Sequence, residues 1–192
     1  MKKTGSVFPN INIRKACLDD IEAIMNIEHQ CFSHDTIEDA EVYRSRIRTF
    51  PDGFLVLEKD GEIIGAISSE IWNKNDEVSA DMFCLGHDIA GKHTKDGNEL
   101  YVSSLGVLPS QRGNGYGELL FLTLIESVST AFPKVDSVIL LFADDWHVAR
   151  KIYEKNGFKT MKILPAFFGG RVDPAHDGIV MRNQIQEHRP AR

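Results

Sequence analysis

Between a strand-like run and an apolar helical run the chain carries Arg112-Gly113-Asn114-Gly115-Tyr116-Gly117. The alternation over Leu100-Tyr101-Val102-Ser103-Ser104-Leu105-Gly106-Val107 predicts a strand, and Pro109 ends it because proline cannot continue a paired ladder. The run from Leu119 to Val128 predicts the helix. A glycine-rich turn that opens a helix presents backbone N–H groups with no Cβ in the way. The chemistry available there is the holding of phosphate oxygens, with the Arg112 cation at the mouth. Two familiar phosphate loops are excluded by spacing. Glycines at 113, 115 and 117 do not fit Gly-x-Gly-x-x-Gly, and Gly117 is followed by Glu118 rather than by Lys-Ser/Thr. A second constellation, Cys84-x-x-His87 with His93 and Asp88 or Asp96, has the residue types of a zinc site. Triplets of this kind arise by chance in polar loops, and no metal is expected. Asp144, Asp145 and His147 read as helix capping rather than catalysis.

The elements that must position these residues follow from the rest of the chain. At 192 residues it is the size of one domain (1–192), with 1–10 and 184–192 expected as loose ends. A hydrophobic content of 42% and a charged content of 26% are ordinary for a globular protein. The formal net charge of −6 speaks against non-specific nucleic-acid binding and favours small cationic molecules. Lys2-Lys3 is followed by no apolar h-region, no apolar run reaches membrane-spanning length, and Cys17, Cys31 and Cys84 are odd in number and scattered. The expectation is a cytoplasmic chain with no membrane and no nucleic-acid partner.

Ile11 to Arg14 reads as a first strand. Asp19-Asp20 precede a helix carrying Ile21, Ile24, Met25 and Glu28, and a second helix is expected over Thr36–Thr49, with Arg44, Arg46 and Arg48 on a solvated face. Asp60-Gly61 between Phe54–Glu58 and Glu62–Trp72 predicts a hairpin, and Gly65 a bulge or a close approach. Residues 73–98 are polar, and a segment of that length without clear structure is often a functional loop. Val138–Phe142 predicts a strand covered on both faces, Trp146–Asn156 a helix capped by Asp144-Asp145, and Phe158–Leu164 and Gly178–Arg182 two closing strands. Pro165-Ala166-Phe167-Phe168-Gly169-Gly170 between them resembles an aromatic lid.

Arg112-x-x-Gly115-x-Gly117 resembles the pyrophosphate loop of the GNAT superfamily of N-acetyltransferases. Ala149-x-x-x-Tyr153-Glu154-Lys155-Asn156-Gly157-Phe158 resembles that family's Ala-x-x-Leu-Tyr-Glu-Lys-x-Gly-Phe signature. The element order matches too, so the resemblance covers about residues 11–183. It implies an α/β single-domain fold with a mixed central sheet of about six to seven strands flanked by about four helices. It also implies acetyl-CoA as co-substrate, with Leu105, Gly106 and Val107 beside the pantetheine arm and Arg112, Gly113, Asn114, Gly115, Tyr116 and Gly117 holding the pyrophosphate. Tyr153 takes the position of the general acid that protonates the leaving thiolate. Three positions depart from the family pattern: Tyr101 stands where relatives carry glutamate or histidine, Ser103 where the arylalkylamine branch carries histidine, and Trp146 where an asparagine bonds the pantetheine arm. Glu99 acting through a water, or a water chain past Ser103 and Tyr101, is then the route for the amine proton.

The Phe50-Pro51 pair, the Gly65…Trp72 strand and the long loop resemble the arylalkylamine-like branch. Phe32, Phe50, Trp72, Phe83 and Phe167-Phe168 are candidate pocket walls, and Glu28, Asp81 or Glu99 candidate ammonium partners. The leading expectation is acetylation of the primary amine of a small molecule. Acetylation of a protein N-terminus or lysine, and a non-catalytic acyl-CoA-binding module, are the alternatives. A homodimer is compatible with the resemblance.

Overall fold

Asp60 and Gly61 both adopt positive φ (53° and 90°), which a two-residue hairpin matching the strand twist requires. They join β2 (Phe54–Lys59) to β3 (Glu62–Trp72), and β1 (Ile11–Lys15) pairs with the outer edge of β2. The computed structural model describes residues 10–34, 36–168 and 175–185. Seven strands form one sheet in the order β1-β2-β3-β4-β5-β7-β6, completed by β4 (Glu99–Val107), β5 (Ser137–Ala143), β6 (Lys159–Leu164) and β7 (Gly178–Gln184). Helices α1 (Ile21–Cys31) and α2 (Ala40–Thr49) lie on one face. Helix α4 (Tyr116–Ala131), which crosses from β4 to β5, and α5 (His147–Lys155) lie on the other. A single-turn α3 (Ile89–Lys92) interrupts the 73–98 loop. No helix of the described residues is long and apolar enough to cross a membrane.

The α4 face holds Leu120, Phe121, Leu124 and Val128 against Leu57, Ile67, Leu100 and Val138, all buried. On the opposite face Ile24 and Ile27 of α1 and Tyr43 and Ile47 of α2 cover Phe54, Val56 and Ala66. Gly106 is what lets α1 seat on β4: a Cβ there would come within 2.7 Å of Ile27 Cγ2. Gly65 combines the two expectations for it. It lies beside the register shift of the β2–β3 ladder, and a Cβ on it would approach the Gly106 carbonyl to 3.3 Å.

Four readings of the sequence are corrected. Helix α2 starts at Ala40 rather than Thr36, and its Arg46 is buried, held by Glu38. Helix α5 has Trp146 at its N-cap without a side-chain cap, and Asp144 pairs with His176 instead (2.8 Å). Strand β7 runs on to Gln184, and Ile185 donates its N–H to the Asp136 carbonyl, so the chain is ordered past the expected fraying point. The loose ends at 1–9 and 186–192, and Gly169-Gly170 of the lid, lie outside the described residues.

The only parallel pairing among the described residues, β4 with β5, covers Glu99–Val102 against Ser137–Leu140 and then stops, although both strands continue. Ser103 is the extra residue of a bulge against Ser68-Ser69 at the point where β4 leaves its neighbour. Below the separation, Glu99 is wholly buried. It accepts from Arg182 Nη2 of β7 (3.0 Å) and from the Ser137 hydroxyl of β5, while Arg182 also donates to the Asn75 carbonyl (2.6 Å). Glu99→Gln keeps the shape but removes the buried counter-ion of Arg182 and leaves it only the exposed Asp76, 3.5 Å from Nη1, so denaturant unfolding should show a loss of about 3–5 kcal/mol. An apolar replacement of both residues should regain most of it.

Candidate active site

Separation of β4 from β5 opens a cleft of about 880 Å³ along Ser103–Val107. Here the β4 backbone has no ladder partner on the β5 side, so its polar groups face the cleft. The Val107 carbonyl accepts from Cys31 Sγ (3.2 Å) and Arg112 Nε (3.3 Å). At one end the wall is Arg112, Gly113, Gly115, Tyr116 and Gly117. Gly113 and Gly115 have φ of 80° and 79°, a left-handed backbone that favours glycine, and Gly115 is the N-cap of α4. Asn114 is off the wall, where its Nδ2 donates to the Gln111 and Arg112 carbonyls and shapes the turn. The first N–H groups of a 16-residue helix and one guanidinium thus meet at the cleft, a socket suited to a pyrophosphate.

Tyr153 of α5 lies on the wall near the middle of the cleft. Its ring packs among Phe121 (5.3 Å), Phe142 (5.4 Å) and Phe158 (5.9 Å), and burial pushes its phenol above the ordinary value. It is therefore a neutral phenol at neutral pH. Tyr101 also lines the cleft, stacked on Trp72 at 4.1 Å and edge-on to Phe83 at 5.4 Å, and burial raises it too, so it is a neutral phenol at neutral pH. The Ser103 hydroxyl is 2.8 Å from that of Ser68. Glu99 is not on the wall, because Arg182 and Ser137 hold it at the closed end of the split. Its contacts tie β4 to β5 and β7.

Four carboxylates line the cleft: Glu38 is held by Arg46, Glu118 by Lys155 and Asn156, and Asp145 lies 3.6 Å from His176, whereas Glu28 of α1, 3% exposed, has no basic group in contact with it. Burial pushes it up to about 7, against the hydrogen bonds from Ser104 Oγ (2.8 Å) and Tyr43 that favour its ionised form. The sequence held a signal for it. Glu28 falls at i+7 from Ile21 and i+4 from Ile24, on the apolar stripe of α1, where a carboxylate does not belong for packing reasons.

Beyond Glu28 the wall is made by Phe32, Thr36, Tyr43, Phe83 and Leu85, with Phe167 and Phe168 across the cleft. Phe32 meets Trp146 (5.5 Å) and Trp146 meets Phe168 (6.2 Å), so a row of rings runs from the end of α1 to the β6–β7 connection. Trp146 therefore packs as part of the wall. Phe50 and Trp72, expected as walls, are core residues instead. The Cys84–His87–His93 set does not converge on a common point. His87 bonds Glu70 and the Cys84 carbonyl, His93 accepts from the Ile71 N–H (3.1 Å), and Asp96 pairs with Lys134. Among the described residues only Asp144, Asp145 and His176 bring three ligand-type atoms together, and these atoms already face one another.

Carbon-13 NMR of the Glu28 carboxyl should give a midpoint near pH 7. Ser104→Ala removes a bond to the ionised form, so it should move the midpoint upward.

Residues 21–158 match the Acetyltransferase (GNAT) family. The chain is 28% identical over 128 residues to the uncharacterized N-acetyltransferase YkwB of Bacillus subtilis, covering 64% of this chain and 57% of that one. It is 29% identical over 168 residues to N-alpha-acetyltransferase 60 of Danio rerio, covering 86% and 66%. It therefore spans less than two thirds of the length of these relatives. Its fold superposes on the loading GNATL domain of CurA from Lyngbya majuscula with a TM-score of 0.78 at 18% identity, over 92% of this chain and 98% of that one. The matched region takes in Glu28, the socket and Tyr153, and the chain belongs to the GNAT acetyltransferase family.

Proposed function

We propose that the protein moves the acetyl group of acetyl-CoA to the primary amine of a small molecule by direct attack. The observation that carries this reading is the continuity of one cleft. It runs from an anion socket, along an unpaired strand edge, to a buried carboxylate poised near neutrality. Acetyl-CoA supplies an activated acyl carbon and a thiolate leaving group. Arg112 and the N–H groups from Gly113 to Gly117 hold its pyrophosphate, and the open backbone of Leu105–Val107 aligns its pantetheine arm. An N–H of that edge, turned toward the thioester oxygen, stabilises the charge that develops there.

Glu28 accepts the proton that the substrate ammonium must lose before its nitrogen can attack. With its affinity near 7 it can both take that proton and return it to solvent. As the carbon–sulfur bond breaks, Tyr153 gives its proton to the sulfur. The amide nitrogen sheds its second proton, and the phenolate is reprotonated. The balance is one ammonium and one thioester in, and one amide, one thiol and one proton out. The 73–98 loop, through Phe83 and Leu85, and the ring row through Trp146 enclose the acceptor end, which favours a small substrate over a chain. The likeness to N-alpha-acetyltransferase 60 favours the second reading, acetylation of a protein α-amine.

The test is CoA thiol release with small primary amines and with N-terminal peptides. Glu28 is protonated below about 7 and cannot accept, so kcat/KM should fall as pH drops through 7, in addition to the amine's own ionisation. Glu28→Gln should remove that limb and lower kcat by about 10²–10⁴-fold, and Tyr153→Phe should lower kcat with little change in KM for acetyl-CoA. If acetyl-CoA binds and no amine of either kind draws thiol release, the reading falls and a binding module replaces it.

A further inference from the structure

The ionised groups behind the acceptor wall form an alternating chain. Glu38 is held bidentately by Arg46 (3.0 Å to Nη2) and accepts the Gly86 N–H (2.6 Å). Arg46 Nε lies 3.7 Å from Glu70, which is wholly buried and accepts from Trp72 Nε1 (2.9 Å). Glu70 in turn faces His87 Nε2 at 2.8 and 2.9 Å, and the other ring nitrogen of His87 is 2.8 Å from the Cys84 carbonyl. Both nitrogens of His87 therefore face oxygens that can only accept. A neutral imidazole has one N–H and cannot satisfy both, so the geometry calls for the imidazolium. The chain then reads carboxylate, guanidinium, carboxylate, imidazolium, and its charges sum to zero.

Glu28 stands outside this chain. Its partners are the neutral hydroxyls of Ser104 and Tyr43, and Arg46, the cation whose field reaches it, is already committed to Glu38. Arg112 is at the socket end, bonded to the Val107 carbonyl. The apolar part of the acceptor wall is Phe32, Phe83, Leu85, Phe167 and Phe168, with Thr36 as a neutral polar group, and the other carboxylates along the cleft already have basic partners: Glu38 has Arg46, Glu118 has Lys155 and Asp145 has His176. An ion buried against such a wall without a counter-ion is strongly disfavoured.

Building on the acetyl-transfer reading, we infer that the acceptor is an amine carrying a single positive charge and an uncharged, apolar remainder. Glu28 answers the one ammonium, and because the other carboxylates of the cleft are already paired, the wall offers no uncommitted counter-charge to a second ammonium, nor a free cation beside Glu28 to a carboxylate. Diamines, polyamines and amino acids are poor acceptors on this account, and their uncharged-tail counterparts are good ones. The alternating chain has a specificity role: by neutralising Glu38, which itself reaches the wall, Arg46 keeps the site from reading a second cation.

The experiment compares hexylamine, 1,6-diaminohexane and 6-aminohexanoate, which share a chain length and differ in the charge at the far end. Thiol release is measured at pH 7.5, and binding of each amine to the CoA-loaded protein is measured by calorimetry. Hexylamine should exceed both others by about tenfold or more in kcat/KM and in affinity. Leu85 is half-exposed on the loop, so Leu85→Glu adds a wall carboxylate without disturbing the core. It should raise the diamine-to-hexylamine ratio by about 3- to 10-fold, and Leu85→Gln should not. Equal handling of hexylamine and diamine, or an unchanged ratio in Leu85→Glu, would overturn the inference. If calorimetry shows the preference but none of the amines is acetylated, the charge rule stands and the acetyl-transfer reading is what fails.

Discussion

The interruption of one ladder governs the rest of this structure. Parallel pairing between β4 and β5 ends at Val102 and Leu140 while both strands run on. Elsewhere in a sheet, unpaired N–H and C=O groups are a liability that must be covered. Here they line a cleft, and α4, the element that crosses between the two strands, begins with its free N–H groups at the mouth of that cleft. A socket for phosphate and an edge for an extended arm thus come from one topological event. The site could not be moved to another pair of strands, because every other pairing in the sheet is antiparallel.

Burial then divides the carboxylates by role. Glu99, Glu38 and Glu70 are all sequestered, and each has a cation: Arg182, Arg46, and Arg46 with His87. These contacts tie one element to the next and hold them in place. Glu28 receives hydroxyls only, which compensate part of the desolvation and leave its proton affinity near 7. What separates Glu28 from the other three is therefore the lack of a basic group in direct contact, not depth.

What could be read from the sequence was what is local in it. The hairpin at Asp60-Gly61, the glycine turn before α4 and the Tyr153–Phe158 stretch each encode their conformation within a few residues, and the structure has all three. Pairings across long separations were invisible. Glu28 meets Ser104 76 residues away, and Glu99 meets Arg182 83 residues away. Arg46 looked solvated because Arg44 and Arg48 flank it, yet the periodicity of α2 turns it inward while its neighbours stay on the surface. The 73–98 segment carries the Gly86 and His87 contacts, and no pattern in its own residues points to Glu38 and Glu70 as their partners.

The tie among Glu99, Ser137 and Arg182 lies at the first pair of the parallel ladder, three residues before the split, where the strands are still in register. Mechanically it makes the two limbs a pair of levers with a fixed fulcrum. From Val102 to Val107 is roughly 16 Å of extended chain, so about one degree of rotation at the apex shifts the far end by about 0.3 Å. The width at the socket end is thus sensitive to strain that leaves the apex unchanged. The width of the cleft is therefore set in part by residues that do not line it.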